Sequence, residues 1–342
     1  MTDLKEFPVH VSEIVISDPY VLAVPEMERY FIYARHFDRN LFPECLGDAA
    51  FYAFESPDLI HWSRPYKVFD REATGFWADM DYWAPECHAY KGKYYLISSF
   101  RAAGKLRRCQ CLVSDSPRGP FAPIEAEPVT PPGWHCLDGT LYVDKKGNPW
   151  MVFCHEWCQV FDGQIAAVPL SDDLGRAVGD PIILFRASEA PWRGDSMRAG
   201  EHSGLVTDGP FLYRTPAGTL LMLWSNFAPQ GYATGYARSL SGEIMGPWIQ
   251  EPTPLYAMDG AHSMLFTSFE GNLIMSLHAP NTHTRKHMLL FQMEVKNEKL
   301  HIVNEITGNW YNYAEGMRGR FGYREPYTDY VGQTKMGQYR PF

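Results

Sequence analysis

Three aspartates stand at a repeated position of this 342-residue chain. Asp18, Asp138 and Asp208 each lie 12 residues before a member of a recurring apolar run, and each is followed by Pro or Gly and then by an apolar stretch. Carboxylates crowded into one pocket repel one another, which raises the pKa of at least one and lets acid and base forms coexist near neutral pH. Splitting a glycosidic bond needs this arrangement, with one protonated carboxyl for the leaving oxygen and one ionised carboxylate to activate water or attack the sugar.

The recurring runs indicate the elements that must position these aspartates. Five aromatic or apolar runs, each opening on a small or acidic residue, start at positions 28, 92, 147, 218 and 271. Their spacing of 53 to 71 residues is the length of a four-stranded unit with its loops. Repetition at this period predicts a radial array of units. The fold class is therefore predicted to be all-β, as a five-bladed β-propeller.

In a propeller the innermost strand of each blade begins near the central funnel, so polar residues at that position converge although they are remote in sequence. The fifth repeat offers His262 there, and the second offers Trp83 and Glu86. Asp is also common before Gly or Pro in turns that have no catalytic role. For each aspartate taken singly, this structural interpretation stays open.

Composition and charge restrict the partners. The net charge of −9 lacks the dense Lys and Arg clusters that a nucleic-acid partner requires, and a neutral or sugar-like ligand fits better. No run is long enough to cross a bilayer and the first residues do not resemble a secretory signal. We therefore expect a cytoplasmic protein, or a periplasmic or secreted one if a leader was removed. The seven cysteines, odd in number and without a CxxC pair, are expected to be buried free thiols.

The repeat covers nearly the whole chain, which favours one domain. Residues 1–310 are predicted to form the propeller, with the segments Phe291–Val295 and Leu300–Val303 as a hairpin that completes the last blade, assisted by the first residues of the chain. Residues 311–342 form a tail rich in Tyr, Arg and Gly. We expect this tail to pack on the propeller or at a contact in a homo-oligomer, with disorder as the alternative.

Several motifs together resemble a known family, glycoside hydrolase family 43. They occur in the family's order and span roughly residues 12 to 305: Ser17-Asp18-Pro19-Tyr20, Tyr82-Trp83-Ala84-Pro85-Glu86, Leu137-Asp138-Gly139-Thr140, Thr207-Asp208-Gly209-Pro210-Phe211-Leu212-Tyr213, Gly260-Ala261-His262 and Leu277-His278-Ala279-Pro280-Asn281. The resemblance implies a five-bladed propeller that hydrolyses arabinose- or xylose-containing glycans with inversion. It also implies that Asp18 is the general base, Asp138 the pKa modulator and Asp208 the general acid.

The chain departs from the family's pattern at the acid. The family usually has Glu in a Glu-Gly-Pro context, whereas this chain has Asp208, whose carboxyl is shorter by one C–C bond. Glu201, seven residues earlier, is the rival candidate. An inverting reaction predicts that the base and acid carboxyls lie roughly 6.5–9.5 Å apart, which leaves room for water.

Secondary candidates surround these three. Trp83 could stack on the apolar face of a sugar or serve as a core aromatic, and Glu86 and His155 are further candidates for sugar contacts. By resemblance, Arg285 contacts the pocket carboxylates and His262 lies near the axis, where related proteins often hold a structural Ca²⁺; a solvated Arg and a hydrogen-bonded His are the alternatives. His155-Glu156 begins like a zinc-protease motif, but Gln159 and the strand context rule it out. No cofactor is required.

The predicted function is inverting, exo-acting hydrolysis of α-L-arabinofuranosyl linkages in plant-type oligosaccharides. A β-xylosidase and an endo-arabinanase are the alternatives within the family. A non-catalytic glycan-binding propeller is the alternative of another class, because the short acid at 208 would suit a defective site. A glycoside phosphorylase would be distinguished by phosphate-dependent turnover.

Overall fold

Five four-stranded antiparallel sheets follow one another along the chain and confirm the predicted propeller. The computed structural model describes residues 5–35, 42, 43, 45, 49–199, 202–281 and 286–307. The first six strands are β1 (Val9–His10), β2 (Val21–Val24), β3 (Arg29–Ala34), β4 (Ala50–Ser56), β5 (His61–Trp62) and β6 (Tyr66–Asp70). The second blade consists of β7 (Met80–Tyr90), β8 (Lys93–Arg101), β9 (Arg108–Ser114) and β10 (Ala122–Pro123). The third consists of β11 (Cys136–Val143), β12 (Pro149–His155), β13 (Gln164–Pro169) and β14 (Ile182–Arg186).

The last two blades are separated by a short hairpin. This hairpin pairs β15 (Met197–Ala199) with β16 (His202–Gly204). The fourth blade consists of β17 (Asp208–Arg214), β18 (Leu220–Ala228), β19 (Gly231–Ser239) and β20 (Trp248–Gln250). The fifth consists of β21 (Ala261–Thr267), β22 (Leu273–Ala279), β23 (His287–Lys296) and β24 (Lys299–Glu305). In the first blade the order is β2-β3-β4-β6, while β1 pairs with β5 outside it.

Helices are short in the described part of the chain. The two α-helices are α1 (Arg71–Thr74) and α2 (Trp157–Val160), and 3₁₀ turns cover Val11–Glu13, Pro25–Met27 and Ala187–Glu189. None of them approaches the length or the apolar character that crossing a bilayer would need.

The five recurring runs of the sequence lie at the second strand of each blade, β3, β8, β12, β18 and β22. These strands are buried on both faces, so their two sets of alternating side chains enter different cores. On β18, Leu220 and Met222 pack toward the third blade, whereas Leu221 and Leu223 pack toward the fifth. Five such cores, one between each pair of neighbouring blades, hold the ring together.

In each blade a residue in the left-handed backbone region lies just before the first strand or within its first half. These residues are Asp18 (φ 54°), Ala84 (46°), Asp138 (54°), Gly209 (50°) and His262 (58°). In the last four blades a bulge in the strand register accompanies this residue. Asp tolerates this conformation better than most residues. The repeated bend turns the side chains at the start of the inner strands toward the axis.

Gly209 shows why the fourth blade differs. A Cβ on Gly209 would lie 2.7 Å from the His262 ring, so a side chain at this left-handed position would collide with it. Glycine therefore occupies the place that Asp138 occupies in the third blade, and Asp208 stands one residue earlier. The common phase predicted for the three aspartates is thus offset by one residue at Asp208.

Side chains of the preceding blade hold this bend in place. The amide of Asp138 donates to Ser99 Oγ (2.9 Å), and the amide of His262 donates to Ser225 Oγ (2.9 Å). The amide of Asp18 donates to His278 Nδ1 (3.1 Å). The amide of Gly209 instead donates to Asp138 Oδ2 (2.9 Å). The site residues are therefore fixed by contacts between blades.

In the described part of the chain, all four strands of the fifth blade come from its C-terminal end, and the first residues add no strand to this sheet. The predicted hairpin is β23–β24, and β24 supplies the outermost strand of the fifth blade. Val15 forms a bridge with His287, the amide of Ile16 donates to the carbonyl of Lys286 (2.9 Å), and Ser276 Oγ donates to the carbonyl of Pro19. The first residues therefore contact this blade beside the start of β23, as expected, while β24 occupies the edge of its sheet. The domain limits 1–310 stay a prediction, and the tail 311–342 lies outside the described residues.

All seven cysteines are free thiols, and six of them are buried. Burial raises the pKa of Cys136 and Cys158 well above the usual thiol range. These cysteines behave as small apolar residues in the cores.

Candidate active site

Asp18, Asp138 and Asp208 are brought together around His262 at the start of the inner strands. His262 Nδ1 lies 3.1 Å from Asp18 Oδ1 and 3.8 Å from Asp138 Oδ2. The amide of Gly209, the neighbour of Asp208, donates to the same Asp138 oxygen. Residues from the first, third, fourth and fifth blades thus share one buried pocket. The Asp18 side chain is 21% exposed and the Asp138 side chain 7%, so Asp18 is the more accessible to solvent.

His262 is the positive charge of this pocket. Burial alone would lower the pKa of His262, but the charges of Asp18 and Asp138 outweigh it and raise this pKa to about 10. The imidazolium and the Asp18 carboxylate therefore form an ion pair at neutral pH. Burial would by itself raise the pKa of Asp18, yet the charge and hydrogen bond of His262 hold it well below its usual value.

Asp138 has the opposite protonation preference. Burial raises the pKa of Asp138 to about 8, helped by the nearby charges of Asp208 and Asp18, although His262 opposes this rise. At neutral pH the pocket therefore holds an ionised carboxylate at Asp18 and a protonated carboxyl at Asp138. The same residue type takes two charge states because the two environments differ.

Asp208 is buried and hydrogen-bonded to a residue that the sequence did not single out. Tyr232 donates its hydroxyl proton to Asp208 Oδ2 at 2.9 Å. Burial and the charge of Asp208 raise the pKa of Tyr232 well above its usual range, so the hydroxyl stays a donor. Tyr232 lies on β19, the third strand of its blade. The sequence analysis considered only residues at the start of the first strands, so it did not identify Tyr232.

His278 supports Asp18 as a neutral imidazole. Burial and the charge of Lys286 lower the pKa of His278 to about 4. Its Nδ1 accepts the Asp18 amide proton, so Nε2 carries the ring proton and lies 3.3 Å from Asn281 Oδ1. His278 and Asn281 belong to the fifth-blade motif of the sequence analysis, whereas the buried cation Lys286 had no signal there.

Glu86 lies deep in the same region and is held by His88, which Tyr20 contacts in turn. His88 Nε2 lies 3.0 Å from Glu86 Oε2, and Tyr20 Oη lies 3.1 Å from His88 Nδ1. The charge of Glu86 also helps to raise the pKa of His262, after the larger effects of burial and the two aspartates. Glu86 therefore acts on the pocket through its charge, and its role as a sugar contact stays a prediction.

One face of the Trp83 ring packs on an arginine that belongs to a buried ion network. In the bulged strands, Trp83 occupies the position that Asp208 occupies in the fourth blade. The guanidinium carbon of Arg107 lies 3.9 Å from the centre of the Trp83 ring, close enough for a cation–π contact. Arg107 Nη2 donates to Asp81 Oδ2 (2.9 Å), and Arg107 Nη1 donates to Glu156 Oε2. The indole is therefore held rigidly beside the pocket.

Replacing Arg107 is expected to destabilise the fold. Its side chain is only 4% exposed, and Arg107→Met would leave Glu156 as a buried carboxylate without its cation. Such a loss costs about 3–5 kcal/mol. Urea unfolding of both proteins at pH 7 measures the difference in the free energy of unfolding.

Arg118→Met provides the matched control for Arg107→Met. Arg118 also binds a carboxylate through two nitrogens, that of Glu55, but its side chain is 49% exposed. This replacement is expected to cost less than about 1 kcal/mol. Equal losses for the two variants would contradict the importance of burial in the Arg107 network.

Of the remaining candidates, His155 contacts other side chains, and two lie outside the described residues. His155 stacks on Trp134 with ring centres 4.1 Å apart, and both its nitrogens are within 3.0 Å of glutamine Oε1 atoms. His155 therefore supports Trp134, and its role as a sugar contact stays a prediction. Arg285 and Glu201 lie outside the described residues, so their roles stay predictions.

The pocket fits a metal ion poorly. No cluster of three or more His, Cys, Asp and Glu ligands for a metal occurs among the residues that the structure describes. His262 carries a positive charge and is paired with Asp18, which disfavours a cation beside it. The axial Ca²⁺ stays a prediction, and no chemical step below depends on it.

An ionised carboxylate and a protonated carboxyl in one pocket suit acid–base chemistry on a bond placed between them. Asp18 is ionised and accessible, so it could accept a proton from water. Asp138 and Asp208 are more buried, and Asp138 retains its proton near neutral pH. This division of charge is the one that glycoside hydrolysis requires.

Comparison with known proteins agrees with this geometry. The family described as "Glycosyl hydrolases family 43" matches residues 9–299. A solved structure described as endo-arabinase from Bacteroides thetaiotaomicron VPI-5482 is 42% identical, covering 86% of this chain and 99% of that one, with a TM-score of 0.79.

Two curated relatives match over shorter stretches. Xylosidase/arabinosidase 43A of Humicola insolens is 36% identical over 81 residues, which are 24% of this chain and 24% of that protein. The extracellular exo-α-(1→5)-L-arabinofuranosidase ArbA of Cellvibrio japonicus (strain Ueda107) is 28% identical over 140 residues, 36% of this chain and 38% of that protein. The aligned part is thus less than two thirds of either relative. Because the family match extends over most of the chain, this protein belongs to glycosyl hydrolase family 43.

Proposed function

We propose that the protein hydrolyses α-L-arabinofuranosyl linkages of arabinan-type oligosaccharides with inversion. The observation that carries this proposal is the opposite protonation of two carboxyl groups in one pocket, ionised Asp18 and protonated Asp138. An inverting glycosidase needs both forms at the same pH.

In the proposed reaction Asp18 is the general base. It takes a proton from a water molecule whose oxygen attacks the anomeric carbon, while the bond from that carbon to the leaving oxygen breaks. Asp208, the general acid, gives its proton to the leaving oxygen. Asp138 is the modulator, because a carboxyl that keeps its proton up to about pH 8 beside Asp208 keeps an acid available at neutral pH. His262 maintains the charge of Asp18, and Tyr232 orients Asp208.

The proposed sugar rests on the relatives. The solved structure at 42% identity is described as an endo-arabinase, and one curated relative is described as an exo-arabinofuranosidase. Both descriptions name arabinose-containing substrates. We keep exo action as the proposal, with endo action as the alternative within the same chemistry.

Product analysis by NMR tests this proposal. The purified protein is incubated with linear α-1,5-arabino-oligosaccharides, and the anomeric signals are followed from the first minutes. Release of β-arabinofuranose from chain ends is expected, since inversion changes the configuration at the anomeric carbon. Oligomeric products without monomer would establish endo action, and first-formed product of retained configuration would contradict the roles of Asp18 and Asp208.

A β-xylosidase is the second candidate, because one relative is described as a xylosidase/arabinosidase. Xylo-oligosaccharides in the same assay separate the two sugars. Binding of oligosaccharides without turnover of either series would instead support the non-catalytic glycan-binding propeller.

Removing the charge of His262 is expected to shift the pH dependence of activity. In His262→Gln the burial of Asp18 remains but the neighbouring cation is lost, so the pKa of Asp18 rises. A base with a raised pKa is protonated at higher pH, and the acidic limb of kcat/KM therefore moves upward. The profile is measured from pH 3 to pH 9 on an aryl arabinofuranoside.

His278→Gln is the matched control for His262→Gln. His278 also contacts Asp18, but its pKa of about 4 makes it neutral over most of this range. Its replacement removes no positive charge above about pH 5 and only a smaller contribution to the low pKa of Asp18, so the acidic limb is expected to move much less than in His262→Gln. An unshifted limb in His262→Gln would contradict the proposed ion pair.

A further inference from the structure

Phe161 combines an unfavourable backbone with an exposed aromatic side chain. Its backbone angles are φ 64° and ψ −58°, and the Asp162 amide donates to the Val160 carbonyl at 2.7 Å. These features define the strained form of the γ-turn, which is rare for residues other than glycine. The side chain is nevertheless 54% exposed. Because glycine would adopt this turn without strain, the fold alone does not explain why a phenylalanine occupies position 161.

The turn is tied to the segment that carries Asp208. The Phe161 amide donates to the Trp157 carbonyl (2.7 Å), and the Phe161 carbonyl accepts the Leu205 amide (2.7 Å). A side chain on Gly204 would collide with this carbonyl, since its Cβ would lie 2.3 Å away. Leu205 precedes Asp208 by three residues. Phe161 is therefore held in a fixed position relative to the proposed acid.

Phe161 lies on the face of the propeller that carries the pocket. Strand β11 carries Asp138 near its start, at the pocket, and the antiparallel strand β12 returns toward the same face and ends opposite the start of β11. The turn that contains Phe161 follows β12 directly. Trp157 in this turn packs in one cluster with Tyr232, whose hydroxyl binds Asp208. The ring is thus at the rim of the pocket, on the side of Asp208.

Among the residues that the structure describes, Phe161 is also the only exposed Phe, Tyr or Trp. The other large apolar side chains exposed there are aliphatic. Aromatic faces pack well against the C–H groups of sugars, and a fixed ring provides contact area at little cost in conformational entropy. An exposed ring fixed at the rim of a sugar pocket is suited to such a contact.

We propose that Phe161 is a stacking position for a sugar unit on the leaving-group side of the scissile bond. The acid protonates the leaving oxygen, so units near Asp208 belong to the leaving group. The substrate is then an oligosaccharide whose leaving group contains at least one sugar unit. This inference rests on the proposed function, because it assigns a specificity-determining residue to the same site.

Kinetics on a long and a short substrate test the stacking position. For the native protein and Phe161→Ala, kcat/KM is measured with α-1,5-arabinohexaose and with 4-nitrophenyl α-L-arabinofuranoside, whose leaving group contains no sugar. The ratio of the two values is expected to fall about three- to tenfold in Phe161→Ala, the range of one aromatic stacking contact. Phe161→Trp, which keeps an aromatic face, is expected to retain the native ratio. An unchanged ratio in Phe161→Ala overturns the proposal.

Two further variants separate stacking from a structural effect. Leu240→Ala removes an equally exposed side chain, 56%, from the loop after β19 on the opposite face of the propeller, and is expected to leave the ratio at its native value. Phe161→Gly relieves the strained turn, so its melting temperature should equal or exceed that of the native protein while the ratio falls as in Phe161→Ala. A lower melting temperature in Phe161→Gly together with a native ratio would mean that the ring serves only the fold.

Failure of the proposed function is distinguishable from failure of this inference. If the native protein hydrolyses neither substrate, calorimetric titration with arabinohexaose and xylohexaose replaces the kinetics. A dissociation constant weakened about three- to tenfold by Phe161→Ala supports the stacking position even without turnover. Equal affinity of both proteins, or binding by neither, overturns it.

Discussion

Asp18→Asn is expected to lower kcat about a thousandfold, with little change in KM. The amide has nearly the shape of the carboxylate, so the pocket and substrate binding are retained, but it cannot accept a proton from water. General base catalysis contributes about 10²- to 10⁴-fold. The charge of Asp18 is specifically maintained by His262, which holds its pKa well below the usual value. Steady-state kinetics on arabino-oligosaccharides at pH 7 measure the loss.

Asp115→Asn serves as the control for Asp18→Asn, because Asp115 is a highly exposed carboxylate in a turn between strands. Its kinetic constants should equal those of the native protein. Thermal unfolding followed by circular dichroism establishes whether Asp18→Asn is folded. A folded Asp18→Asn protein that keeps more than about a tenth of the native kcat would exclude Asp18 as the base, since a general base is worth at least about a hundredfold.

Much of the fold was predictable because each repeat contains a recognisable apolar run. The five runs coincide with strands that are buried on both faces, and such strands must be apolar wherever they occur in the ring. The gathering of the aspartates followed from the same repeat. Residues at the start of successive inner strands converge in space whatever their distance in sequence.

The spacing of the runs already contains the offset at Asp208, but the sequence does not reveal its cause. Asp138 and Gly209 are both left-handed residues within a bulge, 71 residues apart, and 71 residues also separate the third and fourth runs. Asp208 therefore stands one residue before the repeated position. The reason is steric and comes from the fifth blade, where the His262 ring occupies the space of a Cβ at position 209. Such contacts between blades cannot be recognised from the local sequence of either blade.

The charges of the site depend equally on contacts that sequence does not reveal. Asp18 and Asp138 have similar local sequences, yet the pKa of one is lowered and that of the other is raised. The difference arises from burial and from the distances to His262, 3.1 Å and 3.8 Å. Tyr232 and Arg107 were missed for the same reason. Each acts on a first-strand residue, Asp208 or Trp83, from another strand or a neighbouring loop.

Comparing Glu201→Gln with Asp208→Asn establishes which of the two residues is the general acid. If Glu201 were the acid, Glu201→Gln would lose activity in proportion to the basicity of the leaving group, and Asp208→Asn would not. We expect the reverse, because Asp208 is held by Tyr232 within the pocket and its neighbour Gly209 contacts Asp138. An equal loss in both variants on every substrate would contradict a role for Asp208 specific to proton donation.

Asp208→Asn is expected to reduce activity strongly only where the leaving group needs a proton. With arabino-oligosaccharides the leaving group is a sugar alkoxide, and loss of the acid should lower kcat/KM about a thousandfold. With 2,4-dinitrophenyl α-L-arabinofuranoside the leaving phenolate is stable without protonation, so the loss should be about tenfold or less. The ratio of the two losses, measured in one preparation, does not depend on the fraction of folded protein. It therefore separates proton donation by Asp208 from the structural consequence of breaking its hydrogen bond with Tyr232.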